Sequence, residues 1–502
     1  IGFQLVNFRN RLKSLFRLLI PLTVFGLLSA SAADVETTEK WDVYEITMEG
    51  PESGNPFMEV ELKATFSDGT REFKVRGFYD GNGVYKIRFM PDKTGSWRYV
   101  TQSNAWDLTG EHGEFKVTPA TGNNHGPVEV VDTYHFQYRD GTPYYPFGTT
   151  TYNWLHRPQD VQEQTLDTLE ASPFNKLRML VYPEGQGGRT PPERMPFEGS
   201  QPDNWDFERF NPAFFRHIEK RIEDLRELNI EADLILFHKY GSEWGLDNMP
   251  DKVDDRYLRY IVARFAAYRN VWWSMANEYD FVKTKTEEDW DRYFKIVQSE
   301  DPYNHLRSIH NGFKIYDHRK PWVTHASIQN GAAVEESGRA QMYRDVWEKP
   351  IVYDEVKYEG DVSRRWGQLS PEEMVHRFWA GTVAGTYVGH GECYLHPSTI
   401  VWLSTGGVLR GDSPERIQFL RDIVEDMPGF IDPVDKWQAT NLGGVAGEDY
   451  LLYFGRKAPE EWSFRLPDKG LEEGQKFEVQ IIDTYNMEIE DVETTFVLKR
   501  KD

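Results

Sequence analysis

Between about Tyr134 and residue 432 the sequence alternates short apolar runs with helical stripes, and no other feature restricts the possible folds so severely. Candidate strands are Tyr144–Gly148, Phe174–Tyr182, Ile230–Phe237, the run Val271-Trp272-Trp273-Ser274-Met275-Ala276, Leu306–His310, Trp322–Ser327, Ile351–Glu355 and Thr386–Cys393. They are almost continuously apolar, as strands buried on both faces are. Between them Phe214, Phe215, Ile218, Ile222, Leu225 and Leu228 recur at three- and four-residue steps. Leu258, Ile261, Val262 and Phe265 repeat that pattern, which belongs to helices with one buried stripe. Eight strand-to-helix alternations over about three hundred residues predict an α/β fold, a closed (β/α)8 TIM barrel. An open doubly wound sheet is the competing arrangement, but no glycine-rich dinucleotide fingerprint follows any of these strands.

The grammar differs on either side of this region. Residues 34–118 give period-two runs at Phe57–Phe66, Arg71–Tyr79, Val84–Met90, Gly95–Val100 and Gly113–Thr118, parted by turn signals such as Asp80-Gly81-Asn82-Gly83. That rhythm predicts an N-terminal antiparallel β-sandwich. A polar connector from Thr118 to Pro127 separates it from the barrel, placed at 134–432. From Asp435 strand signals return at Tyr450–Phe454, Trp462–Leu466, Lys476–Asp483 and Thr494–Leu498, predicting a small C-terminal β-sandwich over 435–502. A length of 502 residues accommodates three such domains.

Residues 1–32 read as a secretory signal. Arg9, Arg11, Lys13 and Arg17 form a basic region, Leu18 to Leu28 an apolar one, and Ala30-Ser31-Ala32 a small-residue cleavage site. The apolar run is short for a membrane span, so a secreted protein, periplasmic or extracellular in a bacterium, is expected, with an uncleaved anchor as the alternative. No cysteine follows it, so a lipoprotein anchor is not indicated. Losing those four cations would shift the formal charge from −23 to −27. So acidic a chain repels phosphate backbones, which excludes nucleic acid as a partner. Cys393 is the only cysteine, so no intrachain disulfide can form.

Two of the apolar runs end in acids. One gives way to Asn277-Glu278 and the other closes in Asp354-Glu355. Parallel barrel strands bring their C-terminal ends to one rim, so Glu278 and Glu355 can meet there. Two carboxyl groups about 5–5.5 Å apart are what a retaining glycosidase needs, one as acid/base and the other as nucleophile. Side chains alternate along a strand, so only one of Asp354 and Glu355 is expected inward, and Glu355 is assigned that place. Asn277 is placed to bond a sugar hydroxyl beside the reacting carbon. Arg178, inside the second strand, calls for an anionic partner, and the nucleophile would serve, its pKa held low. His238, His310 and His325 each stand at a strand end and are candidates for hydroxyl binding or for orienting the acids. Trp154, Tyr182, Trp244, Tyr279 and Trp402 are candidate stacking rings for a sugar face, the bland reading being core packing. Glu392 closes the eighth strand as a candidate substrate contact. The histidines lack metal-ligand spacing and no HExxH occurs, so neither metal nor cofactor is expected.

At these residues the chain resembles the large clan of retaining (β/α)8 glycosidases known as clan GH-A. In that clan Asn-Glu ends the fourth strand, a nucleophile Glu the seventh, and an Arg lies on the second. Asn277-Glu278, Glu355 and Arg178 hold those places here. Three segments narrow the likeness. Asn55-Pro56-Phe57, Gly77-Phe78-Tyr79-Asp80-Gly81 and Arg88-Phe89-Met90-Pro91 resemble the DUF5060 sandwich. Tyr358-Glu359-Gly360 after Glu355 is similar to the DUF4038 or apiosidase-like barrel, and Tyr453-Phe454-Gly455 with Ile482-Asp483-Thr484-Tyr485-Asn486-Met487 to DUF5605. Asn-Glu stands where the apiosidase pattern would carry an Asp acid, so the resemblance implies the clan's chemistry rather than one sugar. The function implied is a secreted retaining glycoside hydrolase acting on plant or algal polysaccharide or its oligosaccharides. A carbohydrate-binding protein with a degenerate barrel and a polysaccharide lyase are the alternatives.

Overall fold

The computed structural model describes residues 35–499, apart from short stretches at 186–191, 201–203, 330–332, 436–438, 458 and 463–464. The candidate signal segment at 1–32 lies outside the described residues, as do nine of the twenty residues between Gly185 and Asn204. Eight parallel strands form the central sheet: β1 (Gly148–Thr150), β2 (Lys176–Leu180), β3 (Glu231–His238), β4 (Val271–Asn277), β5 (Arg307–Ser308), β6 (Ala326–Gln329), β7 (Ile351–Glu355) and β8 (Tyr387–His390). Their order is β5-β4-β3-β2-β1-β8-β7-β6. The ring closes where His310 bridges to Ser327 and the Thr324 amide donates to the Arg307 carbonyl at 2.9 Å. The chain is therefore a (β/α)8-type TIM barrel, with every residue of β3, β4 and β7 buried.

The crossover helices among the described residues are α1 (Gln159–Glu170), α2 (Pro212–Glu227), α3 (Asp251–Phe265), α4 (Glu287–Glu300), α5 (Ser337–Trp347), α6 (Pro371–Val383) and α7 (Ser413–Asp426). Local signals set their starts. Asn211 caps α2 ahead of Pro212, and capping boxes at Thr286/Asp289 and Ser370/Glu373 open α4 and α6. No helix joins β5 to β6; turns fill that connection, so seven crossover helices stand where eight were expected. None of the described helices is long and apolar enough to cross a membrane.

The first barrel strand is Gly148–Thr150 rather than Tyr144–Gly148. Tyr144 belongs instead to an antiparallel sheet of Val128–Val131, His135–Tyr138 and Pro143–Tyr144. Phe136 of that sheet packs its ring on Trp272, His325 and Tyr387, at the starts of β4, β6 and β8, and so plugs the base of the barrel. Alternation alone cannot tell a plug strand from a barrel strand.

Flanking sheets complete the fold. At the N-terminus a five-stranded sheet, ordered Glu36–Glu39, His112–Thr118, Gly95–Ser103, Leu62–Ser67 and Glu72–Arg76, faces a three-stranded one of Tyr44–Glu49, Val84–Phe89 and Phe78–Tyr79. Phe66 and Phe89 stack between them at 4.2 Å. Its edge strand Glu36–Glu39 pairs parallel, a departure from a purely antiparallel sandwich. Arg88 and Arg264 share Glu219 in a buried ion cluster that fastens this sandwich to α2 and α3. At the C-terminus Asp432–Asp435, Ala439–Val445 and Asp449–Leu452 form an antiparallel sheet against α6, where Tyr453 stacks on Trp379 at 6.0 Å.

Candidate active site

The C-terminal ends of the barrel strands bring two carboxyl groups together. Glu278, the first residue past β4, has φ +48°, a left-handed conformation that costs a non-glycine residue about 1–3 kcal/mol. Two backbone bonds hold it there. The Phe281 amide donates to the Glu278 carbonyl at 2.8 Å, and the Tyr279 amide donates to the His310 carbonyl at 3.0 Å. Glu355 is the last residue of β7. Gln329, at the end of β6, links them. With its amide oriented to suit its neighbours, one NH2 donates to Glu278 Oε1 at 3.3 Å and to Glu355 Oε2 at 3.2 Å. Those two oxygens are therefore no farther apart than the sum of the two legs, 6.5 Å.

Asp354 and Glu355 both point into the barrel, against the expectation that alternation admits one. Asp354 accepts from Lys176 Nζ at 2.9 Å and from Ser327 Oγ at 2.5 Å, while Glu355 lies 3.4 Å from Arg178 Nη1. Lys176 and Arg178 occupy the same face of β2. The cause is a register shift. Ser327 pairs with Val352 but Gln329 pairs with Glu355, so β7 holds one extra residue and its last side chain is turned back inward.

The two acids sit in different surroundings. Burial, and after it the Glu355 charge, push the Glu278 carboxyl up to about 7, against a hydrogen bond donated by the Tyr240 hydroxyl. Burial also raises Glu355, but Arg178 and hydrogen bonds from Tyr152 and Tyr358 pull it the other way. The net direction for Glu355 is upward, so Arg178 moderates the desolvation of this carboxyl rather than taking it below its ordinary value. Arg178 Nη2 also donates to Asn277 Oδ1 at 2.8 Å, which leaves the Asn277 amide nitrogen for other partners. His310 places Nε2 4.0 Å from Glu355, and burial holds it neutral, well below its ordinary pKa. Beneath the acids Lys176 bridges Asp354 and Asp233, the latter at 2.6 Å.

Among the expected site residues, Glu278, Glu355, Asn277, Arg178 and His310 meet at this mouth; the others lie elsewhere. His325 precedes β6 and so sits at the barrel base, edge-on to Trp272 at 5.2 Å. His238 is stacked on Tyr182 at 4.3 Å, with Nε2 toward the Tyr182 carbonyl, and burial lowers its pKa to about 4. The expected stacking rings are sealed: Trp154 is 0%, Tyr182 1%, Trp402 1%, and Tyr279 and Trp244 each 4% exposed. A sugar face cannot reach them. Their polar atoms serve the core, as when Trp402 Nε1 donates to Thr149 Oγ1 at 2.9 Å. Glu392 accepts from the Arg410 and Gly411 amides at 2.6 and 2.8 Å, and so ties down the segment ahead of α7.

Sequence reasoning missed Tyr152, Tyr240, Gln329 and Tyr358. Each lies at, or within three residues of, the end of a barrel strand, namely β1, β3, β6 and β7. Scanning every strand end for hydroxyl and amide side chains would have found them, because that rim is where barrel chemistry collects. Among the described residues no group of three or more His, Cys, Asp or Glu is arranged to hold a metal ion.

Comparison with known proteins agrees with this architecture. The apiosidase-like catalytic domain matches residues 131–406, flanked by the domains of unknown function DUF5060 at 37–104 and DUF5605 at 437–501. A crystal structure from Bacteroides vulgatus, provisionally described as a glycoside hydrolase, is similar with a TM-score of 0.89 and 42% identity, over 92% of this chain and 94% of that one. A glycoside hydrolase family 5 structure from Bacteroides vulgatus has a TM-score of 0.55 at 15% identity, over 75% of this chain and 91% of its own. The latter likeness is one of fold alone. No curated protein matches the chain.

Proposed function

This chain belongs to the apiosidase-like family of catalytic domains, a glycoside hydrolase on a TIM barrel, and from that premise we propose a retaining mechanism run by Glu278 and Glu355. The observation that carries it is the single Gln329 amide touching both carboxylates. Its two legs keep the facing oxygens within 6.5 Å, which accords with the ~5–5.5 Å of retaining pairs better than the ~6.5–9.5 Å of inverting ones. Glu278, raised to about 7, still carries its proton on about half of the molecules at neutral pH, and the protonated form delivers it to the leaving oxygen. Glu355 bonds to the anomeric carbon as the leaving group departs. Arg178, 3.4 Å away, and the Tyr152 hydroxyl favour its ionised form against burial and aim it. Glu278, now a carboxylate, then takes a proton from the water that attacks the same carbon and frees Glu355. The Asn277 amide nitrogen, its oxygen engaged by Arg178, donates to a sugar hydroxyl beside that carbon.

The basic, apolar and small-residue sequence of 1–32 supports export. An exported hydrolase with a β-domain at either end of its barrel suits a large external glycan, and plant or algal polysaccharide, or oligosaccharides cut from it, is the class we assign. The test is turnover on defined glycans with NMR of the first-formed anomer. Retention is expected, with Glu278→Gln and Glu355→Ala each losing at least about a hundredfold in kcat while melting like the parent. An inverted product, or either variant at full activity, rejects the assignment.

A further inference from the structure

Resting on that reading, we propose that Phe281 and Phe313 form the platform on which the sugar ring of the leaving group stacks, beside Glu278. Phe313 is 85% exposed, yet the segment carrying it is tightly fixed. The Asp280 carboxylate accepts from three consecutive amides, those of Gly312, Phe313 and Lys314, at 2.5, 2.8 and 2.9 Å. Phe281 stands edge-on to Phe313 with ring centres 5.2 Å apart. Gly312 makes this packing possible, since a Cβ there would lie 2.5 Å from the Phe281 ring. An apolar ring held out in water by a rigid clamp, with a second ring buttressing it, presents a face for a ligand.

Its place is set by the acid. Phe281 closes the single turn that begins at Glu278. Asn311, two residues before Phe313, accepts from Gln329, the residue that touches both carboxylates. Lys239 Nζ lies 4.3 Å from the Phe281 ring and 5.0 Å from that of Tyr240, whose hydroxyl donates to Glu278. The Lys239 charge also acts on the Glu278 carboxyl, drawing its pKa down against burial, which sets this cation beside the acid. Because Glu278 protonates the departing oxygen, a platform carried on the turn that begins at Glu278 meets the departing sugar. None of the five rings expected from sequence can do this, all being sealed.

The experiment compares two substrates sharing one glycone: an oligosaccharide the wild type hydrolyses, and the matching glycosyl fluoride, whose leaving group is too small to reach the platform. Phe313→Ala is expected to lower kcat/KM on the oligosaccharide by about fivefold to tenfold, the size of one lost ring contact, and to leave the fluoride unchanged. Phe313→Trp is expected to keep parental activity on both. Equal losses on both substrates, or no loss on the oligosaccharide, overturns the platform while leaving the acid pair intact. A wild type that hydrolyses no oligosaccharide in a panel of defined glycans overturns the underlying reading instead.

Discussion

Replacing Tyr240 with phenylalanine should move the pH dependence of the enzyme in a fixed direction. The Tyr240 hydroxyl donates to Glu278 Oε2, and a donor stabilises the charged form of a carboxyl group. Losing it therefore raises the Glu278 pKa. A hydrogen bond to a charged group contributes about 1.5–3 kcal/mol when buried. Tyr240 is 37% exposed, so water replaces part of that bond, and about 1.4 kcal/mol, or about one pKa unit, is the expected change. Glu278 must be protonated to act as acid, so its titration sets the alkaline limb of kcat/KM, near 7 in the parent. Tyr240→Phe should carry that limb up by about one unit and leave the acid limb, set by Glu355, in place. The assay is kcat/KM against pH for parent and variant on one substrate. An alkaline limb that stays put, or falls, refutes both the hydrogen bond's role and the assignment of the limb to Glu278.

Other outcomes follow from the barrel wall. Glu231 is buried at the start of β3, accepts from Trp272 Nε1 at 2.9 Å, and is pushed by burial up to about 8. Its folded pKa lies above the unfolded one, so stability is fully present below the unfolded value and is lost as pH rises through the folded value. Glu231→Gln keeps an acceptor and removes the charge. Thermal melts should show it more stable than the parent by roughly a few kcal/mol near pH 9 and little changed near pH 4, and an equal shift at both would count against this account. Gly389, in β8, has the Asp354 carbonyl oxygen 2.8 Å from where a Cβ would stand. Backbone cannot move aside as a side chain can, so Gly389→Ala should lower stability by about 1–3 kcal/mol in chemical denaturation and displace Glu355; a variant as stable and active as the parent would contradict that.

The fold was legible because its periodicities are local. The all-buried runs of β3, β4 and β7 can only be interior strands, and the stripe from Phe214 to Leu225 can only be a helix with one packed face. What periodicity could not convey is which strand pairs with which. Tyr144 has the apolar signature of a barrel strand but pairs with Phe136 in the basal plug, and Trp322–Ser327 reads as one strand although the strand runs Ala326–Gln329.

The site divides along the same line, between groups announced by their strand and groups announced only by contact. Glu278, Glu355, Asn277 and Arg178 sit where apolar runs end or are interrupted, so a polar residue there stands out. Aromatic residues carry no such mark. By type and neighbourhood Trp154, Tyr182 and Trp402 are candidates for a sugar platform and for core packing alike, but large rings near a barrel rim are needed first to fill it, and these are at most 1% exposed. Asp354 is the sharpest case, because strict alternation excluded it from the lumen, and one extra residue in β7 reverses that conclusion. The bulge sets Asp354 on Lys176 and, one residue later, Glu355 on Arg178, so two adjacent carboxylates each face a separate cation of β2. Without the extra residue, either Asp354 would leave Lys176 to Asp233 alone or Glu355 would turn away from Glu278. The same irregularity that defeats a period-two reading therefore lets a single strand supply both the buried ion pair under the floor and the carboxylate above it.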